Sequence, residues 1–177
     1  MNYQIPLSKK KYLIGLMLIV GLIILGGIAA FTDQFHGVFY DNGKMFVLGL
    51  TAVILFSFLL VFLIIKMTKH TYGLIINEQG IQDNIAGINY GLMKWEDIEG
   101  FGFKTHVMNK FIVVYLKDED ELLINVKGFK KTNLKFNKDT FGSPLAISTT
   151  MLKMKWVDVE VLIRKVAEEK GKEIKAI

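Results

Sequence analysis

The chain has 177 residues, of which 51% are hydrophobic and 22% are charged, and its mean hydropathy is +0.36. This balance is too apolar for an ordinary soluble protein and indicates a membrane segment. The sequence contains no cysteine, which excludes disulfides, thiolate zinc sites, cysteine nucleophiles and iron–sulfur clusters. The net charge of +5 becomes informative only when each charge is assigned to a side of the membrane.

Two long apolar stretches occupy the N-terminal third of the chain. The first stretch, residues 12–31, contains no charge, and the second is uncharged over residues 45–65. We predict that the second stretch spans the membrane over residues 45–67. At about 1.5 Å per helical residue, each stretch can cross the roughly 30 Å hydrocarbon core. We predict a transmembrane helical hairpin within a membrane anchor of residues 1–69. Two alternatives are a pair of buried helices in a globular core and, for the first stretch, a cleaved signal peptide.

The charges that flank these stretches predict their orientation. Lys9, Lys10 and Lys11 precede the first stretch and Lys66 and Lys69 follow the second, whereas residues 32–44 between them carry two acids and one lysine. Short cytoplasmic segments are enriched in lysine and arginine. We therefore expect a multi-pass protein of the cytoplasmic (inner) membrane with its N-terminus and C-terminal domain in the cytoplasm.

The composition of the two stretches restricts what they do. Residues 12–31 and 45–65 contain no Asp, Glu, Lys, Arg or His, which argues against a pump, a proton relay or an ion-coupled carrier. Gly26, Ala30 and Gly49 are small residues that let helix backbones approach closely. They predict packing of the hairpin on itself, and a homo-oligomer through the transmembrane helices is the alternative use of the same surface.

Residues 70–177 have the character of a soluble domain. Over residues 69–177 the 17 basic side chains nearly balance the 15 acidic ones. Short apolar or alternating runs separated by turn signals predict about six antiparallel strands, with a seventh after Pro144. One predicted hairpin joins Phe111–Leu116 to Glu121–Val126 through the charged turn 117–120. An amphipathic pattern over residues 156–170 predicts a helix that ends at Gly171. The predicted class is a membrane α-helical hairpin plus an α+β soluble domain.

Several segments together resemble a known family. They are the two apolar stretches, then GLIINEQGIQDN, MKWEDI at Met93–Ile98 and FGSPLAISTTML before the C-terminal helix. This order resembles a family of uncharacterised two-helix bacterial membrane proteins with a cytosolic bacterial pleckstrin-homology-like (PH-like) domain. The resemblance implies a strongly bent antiparallel sheet of about seven strands capped by one helix, a scaffold that binds lipid headgroups, peptides or proteins. Its fold markers are Trp95, Asp97, Ile98 and Pro144.

The residues contain no recognisable catalytic or metal-binding pattern. The three histidines have no neighbouring metal ligand at a suitable spacing, and the sequence has no Gly-rich phosphate-binding motif. The carboxylates of Glu96, Asp97 and Glu99 alternate between strand faces and have no identifiable partner for acid–base chemistry. We therefore expect no enzymatic activity, no cofactor and no metal.

One basic segment is a candidate binding site. Residues 127–138 contain five lysines and no acid, interleaved with Phe129, Leu134 and Phe136; the lysines are Lys127, Lys130, Lys131, Lys135 and Lys138. Such a cluster can contact an anionic inner leaflet, where each lysine contributes about 1 kcal/mol. The alternative is a solvated loop or short helix whose aromatic side chains are tucked under the domain. Nucleic acid is not expected, because aromatic residues are few and acids elsewhere nearly cancel the charge.

These observations predict an integral membrane protein that displays a cytosolic PH-like interaction domain. The expected partners are membrane lipid and a protein whose identity the sequence does not give. A second hypothesis follows from the resemblance, because related membrane-bound PH-like proteins are associated with protection against membrane-active peptides or toxins. In that case the chain is an immunity or envelope-stress protein and the hairpin is its working part.

Overall fold

The computed structural model describes residues 2–32, 42–69, 71–85 and 91–175. The chain forms two compact units, one of residues 8–71 and the other of residues 1–7 together with 72–177. The second unit is thus discontinuous in sequence. Residues 1–7, which the sequence analysis includes in the membrane anchor, are part of the sheet-bearing unit.

The described residues of the first unit form a pair of helices, α1 (Lys9–Phe31) and α2 (Asn42–Lys69). The Ser8 side chain caps α1 by accepting a hydrogen bond from the Lys11 amide. Both helices are long and apolar enough to cross a membrane, and they contain the predicted spans 12–31 and 45–67. Only 11% of the most apolar 18-residue stretch of α1 and 6% of that of α2 is buried. These helices are therefore not buried helices of a globular core.

Small residues bring α1 and α2 together. Gly26, Ala30 and Gly49 are all buried. A Cβ atom added at Gly49 would lie 2.5 Å from the Gly26 carbonyl oxygen and 2.6 Å from the Ala30 amide nitrogen. The surface that these three residues form packs the hairpin on itself, as the sequence predicts. A homo-oligomer through the helices stays a prediction.

The second unit contains a first antiparallel sheet with the strand order β1-β2-β3-β4. Its strands are β1 (Tyr3–Pro6), β2 (Tyr72–Ile76), β3 (Gly80–Asp83) and β4 (Leu92–Lys94). Strand β1 precedes the helical hairpin in sequence and pairs with β2 after it, so that Tyr3 lies opposite Ile76. The side chains of Ile5, Leu74, Ile76 and Ile81 are buried in the core.

A second sheet has the order β7-β6-β5-β8. Its strands are β5 (Ile98–His106), β6 (Asn109–Leu116), β7 (Leu145–Ser148) and β8 (Glu173–Ile174), and β8 runs parallel to β5. The pairing of β5 with β6 shifts between Ile98 and Gly100, as expected for a bulge. The described residues thus form eight strands in two sheets, whereas about seven strands in one bent sheet were expected.

Three helices complete the described part of this unit: α3 (Glu119–Ile124), α4 (Gly128–Phe141) and α5 (Trp156–Glu169). The predicted amphipathic C-terminal helix is present as α5, whose Val159, Ile163 and Val166 are fully buried. The predicted strand Glu121–Val126 is wrong, because most of it lies in α3. Asp118 caps this helix by accepting a hydrogen bond from the Glu121 amide at 2.9 Å, so the charged segment is a helix start rather than a hairpin turn.

Candidate interaction surfaces

The basic segment 127–138 forms most of helix α4, which covers part of the second sheet. Phe141 packs on Phe111 of β6 with ring centroids 4.6 Å apart. Lys104 of β5 donates a hydrogen bond from Nζ to the Thr140 carbonyl oxygen at 2.8 Å, which satisfies a group at the helix C-terminus. The inward face of α4 also buries Leu134 and Asn137. The helix is therefore held in place by packing and by polar contacts.

The outward face of α4 carries two aromatic side chains. Phe129 is 76% exposed and Phe136 is 58% exposed. They are seven residues apart, about two helical turns, so they share one face. The alternative for this segment is right about a helix but wrong about the aromatic rings, because Leu134 and Phe141 rather than Phe129 and Phe136 are buried under the domain.

The five lysines do not act as one cluster. Lys127 is exposed at the position before the helix, and Lys130 is half-buried on the face that it shares with Leu134. Lys138 lies 3.3 Å from Asp120 Oδ1 and 3.3 Å from Glu119 Oε2. Hydrogen bonds to Asp120 and to Glu119 raise the pKa of Lys138 and direct its charge to α3.

Two lysines four residues apart lie along one flank of α4, turned away from the aromatic pair. They are Lys135, which is exposed, and Lys131, which is half-buried. Asp139 is exposed on the same face, one turn beyond Lys135. We call the outward surface of this helix the α4 face; its residues are Phe129, Lys131, Lys135, Phe136 and Asp139. Its two lysines and one acid give it a surplus of one positive charge. Its apolar area, rather than its charge, is its main feature.

The fold markers lie in the core and at strand ends. Trp95 is buried, donates from Nε1 to the Asn77 carbonyl oxygen at 2.9 Å and packs edge-on against Phe101. Ile98 is fully buried at the start of β5. Pro144 is buried before β7, and its carbonyl oxygen accepts a hydrogen bond from Asn137 Nδ2 at 3.1 Å. Each of these three residues connects elements of the unit.

Asp97 has a different position, at the surface. Its carbonyl oxygen accepts a hydrogen bond from the Lys117 amide at 2.9 Å, and the residue lines an open groove of about 330 Å³ beside α3. Other residues of this groove are Leu116, Asp118, Glu121, Leu122 and Asn125. Within the described ranges of the chain, no group of three or more His, Cys, Asp or Glu residues is suited to hold a metal ion.

The neighbouring carboxylates are engaged in surface ion pairs. Glu96 lies 3.2 Å from Lys94 Nζ, and Glu99 lies 2.7 Å from Lys175 Nζ. The hydrogen bond to Glu99 raises the pKa of Lys175. These pairs account for two of the three carboxylates that the sequence offers for acid–base chemistry.

Comparison with models of known protein families, with curated proteins and with solved structures finds no match to this chain. Any functional conclusion therefore rests on the residues and on the surfaces that they form.

Proposed function

We propose that the chain is an integral protein of the cytoplasmic membrane whose PH-like unit is displayed in the cytosol and binds a protein or phospholipid partner without catalysing a reaction. The length and apolar exposure of α1 and α2 support the anchor. The lysines that flank both helices support the cytoplasmic orientation.

The pairing of β1 with β2 supports a hairpin topology. Strand β1 precedes α1 and β2 follows α2, yet Gln4 lies opposite Ile75 and Ile5 opposite Leu74. Two strands that hydrogen-bond to each other must be on one side of a membrane, because neither can pair through the bilayer. The chain therefore enters and leaves the membrane from the same side if both helices span it.

The observation that carries the binding proposal is the exposed pair Phe129 and Phe136 on α4. Aromatic side chains are enriched at protein interfaces, where they act as anchors in apolar pockets. A surplus of one charge contributes little attraction to an anionic membrane at about 1 kcal/mol per lysine. The α4 face therefore suits a protein partner that offers an apolar groove with an acidic border opposite Lys131 and Lys135.

Site-specific photo-crosslinking of the full-length protein in its membrane tests this proposal. A photo-reactive amino acid replaces Phe136, and a matched sample carries it at Val161, an exposed apolar residue of α5. We expect one protein adduct of defined mass from position 136 and none from position 161. The adduct should disappear when Lys131 and Lys135 are both changed to Glu.

Three results would contradict the proposal for the α4 face. They are equal adducts from both positions, an adduct that tolerates the charge reversal, and crosslinking of position 136 to phospholipid alone. The last result would assign this face to the membrane.

A further inference from the structure

The loop between β5 and β6 has backbone φ angles that are unusual for the residues it contains. His106 pairs with Asn109, which leaves a loop of Val107 and Met108 with φ angles of 44° and 63°. Two-residue hairpin loops with positive φ at both positions strongly favour Asn-Gly, Asp-Gly or Gly-Gly. A β-branched residue in this region is a genuine outlier. The loop therefore keeps two large apolar side chains where turn chemistry favours small polar residues.

Both side chains point into solvent. Val107 is 72% exposed and Met108 is 93% exposed. Neither packs into the core, so the core does not explain their presence at the tip. We refer to Val107 and Met108 as the hairpin tip.

Hydrogen bonds connect the two residues after the hairpin tip to the segment that precedes the β-bridge with Leu7. Asn109 Oδ1 accepts a hydrogen bond from Thr150 Oγ1 at 3.0 Å, and the Lys110 carbonyl oxygen accepts one from the Thr149 amide at 3.0 Å. A few residues later, Leu152 forms a β-bridge with Leu7. The Lys153 amide donates to the Pro6 carbonyl oxygen at 2.9 Å. The tip and Leu7 thus lie at the same end of the sheet-bearing unit.

Only a few residues of chain separate this end of the unit from the predicted membrane spans. Leu7 is followed by Ser8, the N-cap of α1, and the uncharged stretch begins at residue 12. Four helical residues rise about 6 Å. Pro6 also lies opposite Tyr72, the first residue of β2 after the second helix.

The same end of the unit is basic. Residues 104–110 and 149–157 contain four lysines and no acid. One of these lysines, Lys104, donates to the Thr140 carbonyl of α4, and Asp158 follows the second range directly. Lys153 and Lys155 are exposed, and the Lys110 ammonium lies 5.8 Å from the centre of the Trp156 ring. Lysine and tryptophan are the residues that favour the headgroup region of a membrane. Charge complementarity thus favours anionic lipid as the occupant of this surface.

We propose that the hairpin tip inserts into the interfacial layer of the leaflet from which α1 and α2 enter the membrane, and that Lys110, Lys153 and Lys155 contact anionic phospholipid headgroups. The inference rests on the proposed function, because it requires the helical hairpin to span the bilayer. Insertion gives the exposed Val107 and Met108 an apolar environment and fixes the unit close to the membrane.

The absence of cysteine in the natural sequence makes the experiment direct. Single cysteines replace Met108, Gln79 or Leu18 in the full-length protein, and each is labelled with an environment-sensitive fluorophore. Gln79 is an exposed residue in the turn at the other end of β2, and Leu18 is an exposed residue within α1. The proteins are reconstituted in vesicles of one part phosphatidylglycerol to three parts phosphatidylcholine, with or without spin-labelled lipid as a quencher.

We expect the spin-labelled lipid to quench the label at position 108 about twofold more than the label at position 79, and less strongly in vesicles of phosphatidylcholine alone. Changing Lys110, Lys153 and Lys155 together to Gln should lower the quenching at position 108 to its value in the neutral vesicles. Strong quenching at position 18 shows independently that α1 is in the bilayer.

Other results would overturn the inference in distinguishable ways. Quenching at position 18 together with equal, weak quenching at positions 108 and 79 would refute the tip insertion alone. Weak quenching at all three positions would refute the membrane anchor as well. A blue-shifted label at position 108 without lipid quenching would mean that a second copy of the chain or another protein covers the tip. Equal quenching in anionic and neutral vesicles would refute the role of the lysines.

Discussion

At the scale of single residues, Gly49 determines how closely the two long helices approach. Its missing side chain leaves room for the Gly26 carbonyl and the Ala30 backbone of α1. Lipid tails are as apolar as leucine, so helices in lipid gain little from burying apolar side chains. They associate through close van der Waals packing, which small residues allow. Any larger residue at position 49 must push the helices apart.

Replacement of Gly49 by Leu should therefore destabilise the purified full-length protein by about 1–3 kcal/mol, the usual effect of overpacking. Thermal denaturation in mild detergent measures this effect as a lower Tm. Gly21→Leu is the matched control, because a Cβ atom at Gly21 meets no other atom within 4 Å. Equal Tm values for the two variants would show that Gly49 does not set the helix contact.

At the scale of elements, the segment 117–142 shows where the sequence pattern was ambiguous. Glu121–Val126 alternates like a strand, and Asp118 with the acids after it looks like an exposed turn. The same acids also fit the first turn of a helix, where the Asp118 side chain bonds the Glu121 amide and negative charge favours the helix dipole. Periodicity alone cannot decide between these two structures for so short a segment.

The capping role of Asp118 predicts a local effect. Asp118→Ala should destabilise the protein by about 1 kcal/mol and should speed amide hydrogen exchange chiefly in α3. Asp139→Ala is the control, because Asp139 is exposed near the end of α4, where an acidic side chain does not favour the helix dipole. Unchanged exchange in α3 of the Asp118 variant would contradict the role of this cap.

Other elements differ in how far the sequence could predict them. The apolar run 111–116, the segment after Pro144 and the amphipathic pattern 156–170 are bounded by turn residues, and the structure contains them as β6, β7 and α5. Strand β1 has four residues and pairs with a strand some 70 residues later, so no local pattern marks it. The two-residue strand β8 exists because Gly100 lets the Glu173 backbone approach β5.

The candidate surfaces were predictable only in part. The residue types indicated the basic segment in the sequence. The outward direction of Phe129 and Phe136 depends on which side of α4 packs on the sheet, and the sequence does not show this. The hairpin tip carries none of the residues that favour its turn, so its geometry gave no signal in the sequence. The composition did indicate the lysines of this segment, but it could not show that Lys138 pairs with acids of α3.

At the scale of the whole molecule, the sheet-bearing unit combines residues that precede the helical hairpin in the sequence with residues that follow it. Strand β1 reaches its partner only if the chain before α1 and the chain after α2 share one compartment. An even number of membrane crossings meets this requirement. The pairing of β1 with β2 therefore predicts that both ends of the helical hairpin lie on one side of the membrane.

The most direct test of this prediction measures which single cysteines a membrane-impermeant reagent can label in intact bacterial cells. Single cysteines at Gln4 and Gln79, which are both exposed in the sheet-bearing unit, are compared with one at Gly37, in the segment that connects the two helices. A membrane-impermeant maleimide should label position 37 in intact cells and positions 4 and 79 only after permeabilisation. Labelling of position 4 or position 79 in intact cells would contradict a cytosolic unit completed by the N-terminal strand.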